Sequence, residues 1–150
     1  MGAIFSVFPL LLIPVLIYNI WAFGATVGDH DGSKAAAFAE KLVFADPAHA
    51  IHMASGAHWA IASGDLFVLL SMVLLFVELL KSTSTGTAAI FNHALSMLVF
   101  IVCLVEFLLG KSFATTPFFL ITVMTLLDVL AGVVVTIVSA RRDVEFAGQH

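Results

Sequence analysis

The apolar and polar positions divide the chain into four long apolar stretches joined by short polar ones. The stretches cover approximately residues 4–23, 58–80, 88–109 and 117–140, with the second unbroken from Ile61 to Leu80. Each meets the ~20 residues an α-helix needs to cross ~30 Å of hydrocarbon. A barrel strand would alternate apolar and polar residues over ~10 positions, whereas these runs are continuously apolar and rich in Leu, so helices are expected. The turns KSTSTGT and GKSFATTP are too short to hold a domain and make spans two, three and four antiparallel neighbours. The pattern predicts one all-α integral membrane domain over residues 1–150, a four-helix up-and-down transmembrane bundle.

The finer pattern adds three expectations. Pro9 and Pro14 each remove a backbone donor from the first run and predict a kinked first helix. After the turn-rich GATVGDHDGS, the segment KAAAFAEKLVF spaces Phe38 and Leu42, and Ala39 and Val43, four apart. It reads as a short amphipathic helix on the outer membrane surface, in the loop between spans one and two. Asp46 followed by Pro47 resembles a cap and first helical position, which predicts a helix running through Gly56 into the second span.

Composition agrees with the pattern. Hydrophobic residues make up 61% of the chain and charged residues 11%, with a mean hydropathy of +1.12, against roughly 25% charged in a soluble domain. The net charge of −4 argues against nucleic acid as a partner. The first run has no Lys or Arg before it and is longer than the core of a signal peptide, although Ala22 to Ala25 supplies small residues that cleavage would use. The lone Cys103 lies in the third run and allows no intrachain disulfide. Arg141 and Arg142 after span four, with Lys81 on the same side, place both termini in the cytoplasm of a bacterial inner membrane by the positive-inside rule. Lys34, Lys41 and Lys111 on the other side face Asp29, Asp31, Glu40 and Asp46, and Trp21 and Trp59 fall at that interface.

Acidic groups within apolar runs are the first candidate chemistry, because a mid-span Asp costs ~2.5–3.5 kcal/mol to insert and normally faces the bundle interior or a wet cavity. Asp65, Glu78, Asn92, His93, Glu106 and Asp128 form the candidate polar network or proton and ion path, at three depths. At ~100° per residue, Thr125, Asp128, Gly132, Thr136 and Ser139 share one stripe, as do Asn92, Ser96, Val99, Cys103 and Glu106. In the second span Gly64, Ser71 and Glu78 recur at sevens beside the row His58, Asp65 and Met72. Small residues and hydroxyls also pack membrane helices without any other role. Glu78 can pair with Lys81 at i+3, and Glu106 can meet Lys111.

A second candidate is a metal site on the outer face formed by His49, His52, His58 and Asp65. No signature such as HExxH supports it, and His58 lies ~120° from His52 on a helix. Haem ligation fails because His93 and His58 lie toward opposite sides, and nothing specific requires a quinone. Nucleotide-binding, nucleophile-elbow and zinc-protease motifs are absent. Three functions remain. The first is a non-catalytic accessory or assembly subunit embedded in the lipid bilayer, packed against a membrane-protein partner or as a homo-oligomer. The second is a small proton- or ion-coupled transporter or channel, and the third a metal-dependent membrane enzyme.

Overall fold

The computed structural model describes residues 7–47, 50–81 and 87–147. In chain order these form α1 (Leu12–Thr26), α2 (Ser33–Val43), a two-stranded hairpin of β1 (Ile51–His52) and β2 (His58–Trp59), then α3 (Ser63–Lys81), α4 (Thr87–Leu109) and α5 (Thr116–Ala147). Three stretches, Ser63–Lys81, Ala89–Leu109 and Thr116–Val138, are long and apolar enough to cross a bilayer. This is a multi-pass helical membrane protein.

The first run is shorter as a helix than expected. Pro9 lies outside α1, and the chain enters it through a turn in which Leu12 N–H donates to the Pro9 carbonyl at 3.1 Å and Ile13 N–H to the Leu10 carbonyl at 3.0 Å. Pro14 then falls in the first turn of α1, where its missing N–H has no intrahelical partner to lose. The two prolines thus stand where α1 begins, and Val7 on the other side of Pro9 is again helical, so the run is interrupted at residues 8–11. The 15 residues of α1 rise about 22 Å, short of a full span.

The helix expected from Pro47 through Gly56 is not formed. Residues 51–59 are the antiparallel hairpin, with Ile51 opposite Trp59 and His52 opposite His58. Met53 N–H donates to the Ala57 carbonyl and Gly56 N–H to the Met53 carbonyl, both at 2.9 Å. Gly56 has φ 83, the left-handed conformation that a three-residue hairpin turn needs and that Gly adopts without a Cβ clash. The second span therefore starts at Ser63, not at residue 58. The Asp65 carboxylate accepts the Ala62 N–H at 2.9 Å and fixes this start, as the third helical residue does in a capping box.

Helix α5 packs closely along both α3 and α4 and is the axis of the bundle. Its first turn is capped by Thr115, whose hydroxyl oxygen accepts the Phe118 N–H at 3.3 Å. Gly64 brings α3 against this point, since a Cβ there would meet the Pro117 ring and lie 2.5 Å from the Leu42 carbonyl oxygen. Helix α2 buries Ala35, Phe38 and Leu42 against the bundle. Asp29 orders its start by accepting the Gly32 and Ala35 N–H groups, each at 2.9 Å.

The buried interior mixes polar with apolar side chains, and the outside of the spans is apolar. Ser71, Glu78, Asn92, Ser96, Thr122, Thr125 and Asp128 are buried, while Leu69, Phe76, Ile90, Leu98, Leu108, Leu130, Val134 and Ile137 are exposed. Water would penalise this arrangement, at ~25 cal/mol for each Å² of apolar surface left unburied. A hydrocarbon solvent reverses that term and charges instead for unpaired polar groups.

Candidate functional site

At one end of the bundle, a closed cluster is built around Glu78, whose side chain is fully buried. Its carboxylate accepts the Leu10 N–H at 2.7 Å and the Asn92 side-chain amide at 2.7 Å. Lys81, one turn further along α3, lies 2.9 Å from Glu78 Oε1. The same ammonium donates to the Phe8 carbonyl at 2.7 Å and to Asn92 Oδ1 at 3.2 Å. Glu78 thereby caps the turn entering α1, supplying negative charge where a helix N-terminus has unpaired N–H groups. One ion pair joins α3, α4 and the segment before α1. The i+3 pairing with Lys81 agrees with the sequence pattern; the backbone of residues 8 and 10 is a partner that side-chain patterns do not reveal.

Next to this cluster, Asp128 on α5 is 5% exposed. It lies beside Ser96 and within electrostatic reach of Glu78, Lys81 and His93. The His93 imidazole packs against Gly132, one turn along α5, so closely that a Cβ at Gly132 would overlap its Nδ1. Ser96 Oγ and His93 Nδ1 are buried and make no hydrogen bond of ordinary geometry among the described residues. Four of the six network candidates, Glu78, Asn92, His93 and Asp128, are thus gathered toward one end.

The other two are held apart from them. Glu106 is half-buried and accepts from the Asn19 amide at 3.1 Å, while the same amide donates to the Val15 carbonyl at 3.1 Å. Asp65 is exposed and occupied by the Ala62 cap. A groove of about 340 Å³ beside Asp65 is lined otherwise by α2, α3 and α5 residues such as Leu42, Leu69, Met72 and Leu120. Glu78, Glu106 and Asp128 do not line it.

The interior between these points is self-satisfied or apolar. Ser71 donates to the Phe67 carbonyl at 2.7 Å, Thr122 to Phe118 at 2.9 Å and Thr125 to Thr122 at 2.7 Å. These protons are committed to their own helices. Val99, Cys103, Phe118 and Ile121 fill the adjoining core. At the loop end the buried Tyr18 ring meets Phe38, Phe67, Phe113 and Phe118 with centroids 5.7, 6.1, 5.6 and 4.6 Å away. Its hydroxyl donates to the Ser112 carbonyl at 3.1 Å and lies 2.7 Å from Thr115 Oγ1. Tyr18 and Asn19 were not singled out by the sequence pattern, although they are the two adjacent polar side chains in an otherwise apolar run.

Of the outer-face histidine candidates, two stand together and one is not described. His49 lies outside the described residues. His52 and His58 are exposed on the hairpin with ring centroids 4.3 Å apart. Among the described residues no three His, Cys, Asp or Glu side chains converge as a metal-binding group.

No family model, curated protein or solved structure matches the chain. The functional reading therefore rests on the geometry itself.

Proposed function

We propose that this protein is a non-catalytic accessory or assembly subunit of the bacterial inner membrane, and that its intramembrane polar residues hold its own helices together. The observation that carries this reading is that three of the four acidic groups, Glu78, Glu106 and Asp65, each have a local partner of their own. Glu78 is closed by Lys81, Asn92 and a backbone N–H, Glu106 by Asn19, and Asp65 by the start of α3. A transport path or a catalytic centre needs such groups to converge on one cavity, whereas packing needs each to have a local partner.

In this reading α1, joined to the clasp by residues 8–10, makes a fourth crossing toward the loop end. The termini lie in the cytoplasm on the side of Arg141 and Arg142, and α2 lies at the outer interface. The exposed apolar faces of α3 and α4 meet lipid, a membrane-protein partner or a second copy. Extraction in mild detergent from cells expressing the untagged chain tests the proposal: a stable, stoichiometric membrane partner or a defined homo-oligomer is expected. A chain that is alone and monomeric overturns it.

A second reading, a proton- or ion-coupled transporter, draws on one observation. Beside Asp128, Ser96 Oγ and His93 Nδ1 are buried and make no hydrogen bond of ordinary geometry among the described residues. The committed hydroxyls and the aromatic cluster at the loop end weigh against it within a single chain.

A further inference from the structure

We propose that the hairpin carries a two-histidine site for a divalent first-row transition ion, with His52 and His58 as its protein ligands. The register makes them direct cross-strand partners. They follow the Met53–Ala57 hydrogen bond that closes the turn. In an antiparallel ladder the next pair outward is the non-hydrogen-bonded one, where Cα atoms approach to ~4.5 Å and side chains are closest. Both imidazoles therefore project from the same face of the hairpin, and their centroids are 4.3 Å apart.

Two imidazoles sharing one tetrahedral ion at ~2.0–2.1 Å have centroids about 5 Å apart. The observed separation is about 1 Å less than that, within reach of side-chain rotation because both rings are exposed. Neutral imidazole suits zinc, copper and nickel, whereas magnesium and calcium select oxygen ligands. Water completes the coordination shell, leaving open positions. The Gly56 turn fixes the spacing of the pair before any ion arrives, so the ion does not have to order the loop. The site is independent of the intramembrane network and of the subunit role assigned to it.

Zinc titration of the full, tag-free chain in detergent micelles, followed by calorimetry with excess magnesium present, tests the site. One zinc equivalent is expected, weakened at least tenfold in His52→Ala and in His58→Ala and unchanged in His30→Ala. Histidine ring resonances of the wild-type chain provide a measurement that does not depend on the variants folding, and those of His52 and His58 should shift together at one equivalent. Wild-type affinity in His52→Ala, an equal loss in His30→Ala, or no shift of the two rings at saturation would overturn the proposal.

Discussion

The two ends of the bundle are closed by different chemistry. At one, a fully buried Glu78 gathers an ammonium, an amide and a backbone N–H from three parts of the chain. At the other, Tyr18 sits in a nest of phenylalanines and uses its hydroxyl only to reach Ser112 and Thr115. Charge concentrates energy in a few directional contacts, so a single deletion there removes several of them at once in a medium that cannot replace them. The aromatic end spreads its stabilisation over many weak contacts and tolerates the loss of any one.

The largest difference between the ends should come from Glu78→Ala. It removes the counter-charge of Lys81 and the acceptor of the Asn92 amide and the Leu10 N–H, and about 3–5 kcal/mol of stability should be lost. In a denaturation series in micelles, amide exchange should rise around residues 8–12 while the Phe113–Phe118 region stays protected. Equal loosening at both ends would break the comparison.

A smaller effect is expected from Gly64→Ala, which drives a methyl into Pro117 and the Leu42 carbonyl. Overpacking of this kind costs about 1–3 kcal/mol. Here the loop end should open first, as read by the accessibility of a cysteine introduced at Leu42. Tyr18→Phe keeps the ring and removes the hydroxyl, so the loss should be about 1 kcal/mol. A loss as large as that of Glu78→Ala would mean that the loop end too depends on one polar contact.

The smallest effect lies in the polar turn before α2. Hydrogen bonds from the Ser33 hydroxyl and then the Ser33 N–H hold the exposed Asp31 carboxyl below its ordinary value. Its folded pKa is lower than its unfolded one, so the contribution is complete above the ordinary carboxylate range and disappears as the pH falls through the lowered value. Protection of the Ser33 amide relative to its intrinsic exchange rate should fall on acidification below about pH 4, with the spans unaffected. Asp31→Asn should remove that pH dependence.

The seven-residue spacing in span two guided one of its two rows: Gly64, Ser71 and Glu78 are buried, whereas His58, Asp65 and Met72, expected on the same polar side, are exposed, with His58 on the hairpin instead of the helix. The α4 stripe likewise buries Asn92, Ser96, Val99 and Cys103, and Asp128 is buried on α5. Helical periodicity carries such facts because side-chain direction follows directly from position. It failed where backbone chemistry decided. Pro9 and Pro14 mark the entry to α1, with the interruption at residues 8–11 and not within α1. Gly56 selects a hairpin where Asp46 and Pro47 suggested a helix. The partners of Glu78 at residue 10 and of Lys81 at residue 8 are main-chain atoms 68 and 73 residues away, and no pattern of side chains encodes them. Tyr18 stood in view as a polar side chain within an apolar run, and weighing it as heavily as Asp128 would have pointed to the loop-end closure.

The central claim is that the buried polar groups close the bundle instead of forming a path through it. Proton flux into proteoliposomes under an imposed pH gradient tests this most directly, with wild type and Asp128→Asn compared at equal protein incorporation. The account predicts that both match protein-free vesicles and that both proteins retain the same helical content. Flux well above the empty-vesicle level in wild type, abolished in a folded Asp128→Asn, would contradict it.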